Sequence, residues 1–545
     1  MMNKIGYYLQ EHVTGEVVTS VDARRYFSTD NSILTINPAL IMYPRNENDV
    51  RKTTRFTWQL AERNRIIPIT ARGAGTDRTG AAIGSGIIMV FPAHLNRILE
   101  LDNKSGEVIV EPGINFGKLQ QTLQTHGRFL PPFPSAFEYS TIGGAVANNV
   151  SGEKSVKYGS MGDYVQSLRV VLANGEVIVT QRLNKREINK KFGLTTFEGE
   201  IYRSIDTILE EQKATVELMK RDVPRNSAGY NLLDVKHGDG SIDLTPLFVG
   251  SQGTLGIVTE VTLNTETHNP ETALMVASFD NLQNLQSAVE ALKASADIPS
   301  SMELVDGNLL TQVSTFNPNQ LKGIIDKPYP EFVLLVEYDT SGRQQKKDIK
   351  TGTKILKQYA ANVQVETEYE KQENLWKIRQ ASVTTVVQAS GNVKAVPIID
   401  DGVVPVEKLQ AYVSGIYEIF KRNHLQPALW GHAGDVNLHM RPHLDLSQLG
   451  DRQKAFRIMD EYHNLVIELG GTISGGHGDG RLRGPYLEKM YGREVVELFQ
   501  KVKKVFDPYG TLNPGVKVGV TLDDVKSLLR HDYTINHLYE HLPRT

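Results

Sequence analysis

Two histidine-bearing stretches in the last quarter of the chain have the residue types of a reaction centre. In Gly471-Thr472-Ile473-Ser474-Gly475-Gly476-His477-Gly478-Asp479-Gly480-Arg481, one imidazole sits in a loop with five glycines. So little bulk surrounds His477 that its ring can approach a substrate, and an imidazole takes up a proton near neutral pH. A plain surface loop is the structural alternative. The other stretch is Gly431-His432-Ala433-Gly434-Asp435-Val436-Asn437-Leu438-His439-Met440-Arg441-Pro442. Its glycines and proline argue against a helix. Val436, Leu438 and Met440 alternate with Asn437, His439 and Arg441, so a strand is expected to carry Asn, His and Arg on one face, with His432 in the loop before it. Two imidazoles are candidate ligands for zinc or a similar metal, although a hydrogen-bonded core histidine is the commoner use of the residue. Upstream, Leu375-Trp376-Lys377-Ile378-Arg379 and Lys394 bring cations. A guanidinium holds a carboxylate through two parallel N–H bonds; a cation on a surface helix is the plainer reading of Arg379.

The first half holds a different kind of chemistry, made of backbone. Arg72-Gly73-Ala74-Gly75-Thr76-Asp77-Arg78-Thr79-Gly80 follows the apolar run Ile66-Ile67-Pro68-Ile69, which reads as a buried strand. Glycines let the chain turn tightly and let a ligand come close, and the N–H and hydroxyl groups between them suit a phosphate or pyrophosphate. It is no P-loop, because Ala81-Ala82 stands where Lys and Ser/Thr are required. It is no Rossmann turn either: Arg78 occupies the place of the third glycine, and the next apolar segment, 86–91, reads as another strand. Ser140-Thr141-Ile142-Gly143-Gly144-Ala145-Val146-Ala147-Asn148-Asn149-Val150-Ser151-Gly152 is a second such stretch, followed by Lys157-Tyr158-Gly159. A helix starting there would turn free N–H groups toward an anion, and its small side chains would admit a flat ring. Close helix–sheet packing asks for the same residues. A third Gly/hydroxyl passage, 248–258, ends in a strand reaching Leu263.

The elements that must position these residues fall into two sets. The first contains strands at 39–44, 86–91, 97–101 and 107–111, helices at 46–63 and 116–126, and a hairpin of 167–173 with 176–179 joined by Asn174-Gly175. A shift of composition at 265–271 marks a boundary. Beyond it, helices at 281–295, 343–361, 405–423 and 451–469 alternate with strands at 273–279, 332–338, 393–400 and 435–441, an α+β pattern. The domains expected are a lead-in at 1–37, a ligand-holding domain at 38–266, a cap domain at 267–518 and a polar tail at 519–545 forming a surface helix.

The 545 residues suffice for two or three domains. Sixty basic against 63 acidic residues, net −3, leave no broad nucleic-acid footprint. The absence of cysteine excludes disulfides, iron–sulfur ligation, thiolate metal sites and a cysteinyl flavin bond. There is no apolar N-terminal leader and no run approaching ~20 apolar residues, so a cytoplasmic protein is expected, with attachment to the inner face of a membrane as an alternative.

Taken together, the motifs resemble one family. The stretches at 72–76, 140–144 and 253–258 look like the PCMH-type FAD-binding domain of the vanillyl-alcohol-oxidase superfamily. Gly431-His432…His439, Ser474…His477-Gly478 and the closing Phe506-Asp507-Pro508…Leu512-Asn513-Pro514-Gly515 look like the C-terminal domain of FAD-linked D-2-hydroxyacid dehydrogenases, among them D-lactate, glycolate and D-2-hydroxyglutarate dehydrogenases. The likeness spans roughly residues 22–518. It implies a two-subdomain FAD-binding domain and an α+β cap with an antiparallel sheet. FAD would be held without a covalent bond by Arg72, Gly73, Ala74, Gly75, Thr76, Asp77 and Gly80, by Ser140, Thr141, Gly143, Gly144, Asn148, Ser151, Gly152 and Tyr158, and by Gly256, Ile257, Val258 and Asn513. It makes His477 the catalytic base, Arg379 and Lys394, with Asn437 and Arg441, the substrate-binding residues, and His432 and His439 two metal ligands. The implied reaction oxidises a D-2-hydroxyacid to the 2-oxoacid: the hydroxyl proton goes to His477 and the Cα hydride to flavin N5. A separate acceptor (a quinone, a cytochrome, an electron-transfer flavoprotein or an iron–sulfur partner) then takes the electrons; a homodimer is among the expected assemblies. An oxidase of sugars or alcohols on the same FAD module, or a flavin-binding protein without turnover, are the alternatives. One departure bears on the metal: the family's third ligand, a glutamate just before the catalytic histidine, is Gly476 here, so zinc is doubtful unless Asp435 or Asp479 substitutes. The expectation in its place is that Arg441 supplies the positive charge.

Overall fold

The structure, a computed structural model, describes residues 2–383 and 391–534. In the first half, Ile69–Arg72 runs parallel to Ile87–Val90, which also runs parallel to Leu40–Tyr43. Two neighbouring parallel strands with no helix between them leave the 73–80 loop to cross the end of the sheet. The strand starts at Ile69 rather than at Ile66: Pro68 has no N–H to give a ladder, and Ile66 lies at the surface. Its free edge pairs with the far end of the chain, where Ile69 N–H donates to Thr511 O and Asn513 N–H to Ile69 O. The lead-in is part of this sheet, because Glu16–Val18 pairs antiparallel with Leu40–Tyr43.

A second sheet of the first half has the order Ile98–Asp102, Glu107–Val110, Ile257–Asn264, Val165–Val171, Val177–Thr180. All its pairings are antiparallel. Its long central strand alternates buried with half-buried residues, as one covered face requires. The Asn174-Gly175 hairpin forms as expected, with Gly175 at φ 85.

The second half is built on a six-stranded sheet in the order Asn362–Glu366, Ala273–Phe279, Phe332–Tyr338, Ser301–Asp306, Leu429–His432, Asn437–Met440, antiparallel throughout. Helices Leu282–Lys293, Gly342–Tyr359, Leu409–Arg422 and Leu449–Glu468 form where the periodicity places them. Only Lys394–Ala395 of the expected 393–400 strand pairs, since Pro397 interrupts the ladder. Ser301–Asp306 is wholly buried yet carries Ser, Glu and Asp, which hid it from an apolar pattern. Of the tail, Leu522–Ser527 is helical, but the next residues are not a surface feature: Leu529, Arg530 and Tyr533 are buried, and Arg530 N–H donates to Ile33 O. Residues 535–545 of that expected helix lie outside the described residues. No helix among the described residues is long and apolar enough to cross a membrane.

Candidate active site

One cavity of about 1390 Å³, open solvent at its mouth included, is walled by both halves of the chain. From the first half come Arg72, Gly73, Ala74, Gly75, Thr76, Asp77, Ser140, Thr141, Gly143, Gly144, Asn148, Ser151, Gly256 and Val258. From the second come His432, Asn437, His439, Gly476 and His477. The remaining expected residues stand behind this lining. The Gly80 carbonyl accepts from Arg481. Gly152 is pressed against Phe133, whose carbonyl oxygen would lie 2.1 Å from an added Cβ. Tyr158 donates to Asp339 Oδ2 at 2.7 Å. Ile257 is in the core. Asn513 stitches the wall from outside, donating to Ala81 O and Gln252 O at 2.8 Å each and accepting from Thr70.

The two glycine-rich stretches differ in what they offer an anion. No backbone N–H of residues 73–78 has a protein acceptor among the described residues. Asp77 fixes the loop's shape, its carboxylate accepting from Thr79 N–H at 2.9 Å and Ala81 N–H at 2.8 Å. The helix Ile142–Asn148 does start where expected, but its N–H groups are not free. Ile142 donates to Ile114 O, Gly143 to Pro112 O, and Gly144 to the Thr141 hydroxyl. Its glycines serve close approach instead: a Cβ on Gly143 would lie 2.6 Å from Pro112 Cβ, and one on Gly73 would lie 2.2 Å from Thr141 Oγ1. The Arg72 guanidinium faces away from the cavity, donating to Thr29 O and Ala82 O and lying over Phe27. A long groove lined by unpaired N–H groups and small residues fits a dinucleotide such as FAD.

The imidazoles come from two places. Leu429–His432 and Asn437–Met440 are antiparallel neighbours with Trp430 opposite His439 and His432 opposite Asn437, so His432, Asn437 and His439 share a face. His432 ends a strand rather than lying in a loop, and Val436, at φ 50, closes the turn. The His432 and His439 rings are 5.2 Å apart, and His439 lies 6.2 Å from His477.

The imidazoles of His432 and His439, and the backbone of the His477 loop, are each held by a carboxylate that sequence reasoning did not single out. Glu303, directly across the sheet from His432, meets its Nδ1 at 2.5 Å through Oε1. Asp400 pairs with His439 Nδ1. Asp401 accepts from Gly476 N–H at 3.0 Å and His477 N–H at 2.9 Å, and from Arg483 Nη1 at 3.1 Å. That anchors the His477 loop to a residue held at φ 80. Gln252 completes the clasp, donating to His477 O at 3.2 Å and Asn148 Oδ1 at 3.1 Å. The only signal for these partners is acidic residues inside apolar surroundings: Met302-Glu303-Leu304 and Ile398-Ile399-Asp400-Asp401.

Burial, offset by Asp401 and reinforced by Arg78, pushes the His477 pKa down to about 4. Burial and then the nearby Arg225 push His432 well below the usual imidazole range. Both rings are therefore neutral at pH 7, and a neutral imidazole can accept a proton.

The cations expected to bind substrate stand elsewhere. Arg379, on the helix Tyr369–Gln380, donates to Glu303 Oε2 at 2.5 Å and to Ser382 Oγ at 3.1 Å, behind His432. Lys394 and Arg441 do not line the cavity. Arg78, on the glycine loop, does line it.

The residues present do not make a metal site. Asp435 accepts from Ser155 and faces Arg225, while Asp479 pairs with Lys517 at 2.7 Å; neither substitutes for the missing glutamate. At Gly476 a Cβ would lie 2.5 Å from Ser151 Oγ. Carboxylates behind two imidazoles are found around metals, but no group of three or more donors exists among the described residues.

Comparison with known proteins points the same way as this geometry. Residues 38–214 match the family of the FAD binding domain, and residues 268–516 match the C-terminal domain of FAD linked oxidases. The chain is 31% identical to a D-2-hydroxyglutarate dehydrogenase of Escherichia coli over 93% of its own length and 50% of that protein's. It is 29% identical to glycolate oxidase subunit GlcD of Bacillus subtilis over 92% of both. It spans about half the length of the first curated relatives it matches. Among solved structures, p-cresol methylhydroxylase with substrate bound superposes with TM-score 0.69 at 14% identity, covering 96% of this chain and 97% of that one. 4-Ethylphenol oxidase from Gulosibacter chungangensis gives 0.68 at 14%, over 94% and 96%. These two likenesses establish the shared α+β, PCMH-type fold.

Proposed function

Since the chain belongs to the FAD-linked oxidases, we propose that it is an FAD-dependent oxidoreductase that converts a D-2-hydroxyacid of the lactate, glycolate or 2-hydroxyglutarate type to the 2-oxoacid and passes the electrons to a separate acceptor. One observation carries this reading: His477, neutral and clasped by Asp401 and Gln252, lines the same cavity as the unpaired N–H groups of the glycine loop. When bound, FAD supplies a two-electron acceptor for the hydrogen on the substrate's Cα.

The chain's own part is binding, orientation and proton removal. Backbone N–H groups at 73–78 suit the pyrophosphate. The small residues 143–147 and Val258 leave space for a flat ring. The substrate hydroxyl gives its proton to an imidazole nitrogen of His477, and Asp401, holding the loop's N–H groups, keeps that ring in place. His432 and His439, each turned by a carboxylate, with Asn437 beside them, form a polar wall against the substrate's oxygens. Arg379 holds Glu303 in position. The division between FAD-holding part and cap falls at residues 266/267 in this reading.

Anaerobic mixing of the holoprotein with a panel of D- and L-2-hydroxyacids, sugars and simple alcohols tests it: a D-2-hydroxyacid bleaches the bound flavin first. A flavin that stays oxidised throughout, or yields only to sugars, overturns the reading. Because the donor set stops at two imidazoles, EDTA treatment leaves turnover unchanged; stoichiometric zinc or manganese lost together with activity would contradict this.

A further inference from the structure

We propose that Arg78, on the glycine loop of the FAD-holding half, is the residue that receives the substrate's carboxylate; this rests on the 2-hydroxyacid reading above and names the group that would recognise its substrate. Among the described residues, the cavity lining includes two arginines, Arg72 and Arg78, and no lysine. Arg72 is directed to Thr29 and Ala82. Arg379 is held by Glu303, and Arg483 by Asp401 and two backbone carbonyls. Arg78 is arranged otherwise. Its Nη1 donates to Asp400 Oδ2 at 2.7 Å, and the other oxygen of Asp400 pairs with His439.

That single bond sets the plane of the guanidinium. Nε and Nη2 have no protein acceptor among the described residues, and 14% of the side chain remains exposed. A guanidinium held at one corner keeps a two-donor edge, the geometry that fits a carboxylate. The link also joins the two halves: the loop beside the cofactor groove is tied through Asp400 to the strand carrying His439. A carboxylate on Arg78 would thus be registered against His477 and against the cofactor by one rigid element. With no third metal donor at position 476, Arg78 is the cavity-lining cation among the described residues that has donors left for the anionic end of a substrate.

The test uses oxalate as probe, a dianion that mimics the carboxylate and its neighbouring oxygen. Holoproteins of wild type, Arg78→Gln and Arg78→Lys are compared for FAD content, for the oxalate dissociation constant read from the flavin spectrum, and for anaerobic reduction by the best 2-hydroxyacid. Expected are unchanged FAD content, oxalate binding weakened at least tenfold in Arg78→Gln, a smaller loss in Arg78→Lys, and a raised KM for the hydroxyacid. If wild type responds to oxalate and hydroxyacid but Arg78→Gln matches it, the role of Arg78 is overturned while the hydroxyacid reading stands. If Arg78→Gln loses FAD in step with oxalate, Arg78 serves the cofactor and the proposal fails. Wild type that ignores oxalate and every hydroxyacid overturns both readings together.

Discussion

The cavity has two walls made by different means. On the side of the first half the functional surface is mostly backbone, shaped by Gly73, Gly75, Gly143 and Gly144, with the N–H groups of 73–78 open toward the cavity and Arg78 as a charged side chain among them. On the side of the second half it is side chains, three imidazoles: the rings of His432 and His439 are each held by a buried carboxylate, and the His477 loop is anchored through its backbone N–H groups by Asp401. A backbone wall suits a large invariant ligand that needs close approach and many weak donors. A side-chain wall suits a proton transfer, which needs one group of the right basicity at one place. If this division is right, replacing a side chain on the second wall damages turnover and spares the cofactor, while adding a Cβ to the first wall does the reverse.

The largest effect is expected at the base. His477→Ala lowers the rate of anaerobic flavin reduction by about 10²–10⁴-fold with the FAD-to-protein ratio unchanged; loss of the cofactor in this variant would break the comparison. Next comes the support of the imidazole wall. Glu303→Gln leaves Arg379 without its buried counter-charge, and the urea midpoint falls by the equivalent of ~3–5 kcal/mol. On the other wall, Gly73→Val drives a side chain into Thr141 Oγ1, and the protein is recovered with FAD affinity reduced at least ~10-fold, about 1.4 kcal/mol, by absorbance ratio. A smaller effect concerns pH. His477 has a folded pKa near 4 against 6.5 unfolded. Below pH 6.5 the unfolded chain therefore binds the extra proton first, and the group's contribution is complete above 6.5 and lost as the pH falls toward 4. Urea titrations of wild type and His477→Gln across pH 4–8 should show their stability difference flat above 6.5 and moving against wild type below it. The smallest change is Thr141→Ala, which removes the Gly144 N–H acceptor and lowers the urea midpoint by the equivalent of about 1 kcal/mol.

The same contrast explains what could be read in advance. The glycine loop was legible because glycine reports on backbone shape directly, and the strands on either side excluded a Rossmann turn. His477 was legible for the same reason, an imidazole with five glycines around it. At 140–144 the residue types were right and the duty was different: whether N–H groups at a helix start are free depends on Pro112 and Ile114, brought in by another segment. Arg379 was recognised as a candidate, but its partner Glu303 lies on a strand that polar residues had disguised. Asp400 ends the expected 393–400 strand and Asp401 follows it, but in the fold Asp400 holds the His439 ring and Asp401 the backbone of the His477 loop.

What the residues determined unaided was local: where the chain turns, which segments alternate, which positions bear an ionisable group, and that no thiol takes part. Composition suffices there because backbone freedom and periodicity act over a few neighbours. The tertiary structure alone decided the pairings, Arg78 with Asp400 across 322 positions and Glu303 with His432 across 129. Buried charges must find partners, and which partner each finds follows from strand register and from the docking of the two halves, both settled by the whole core.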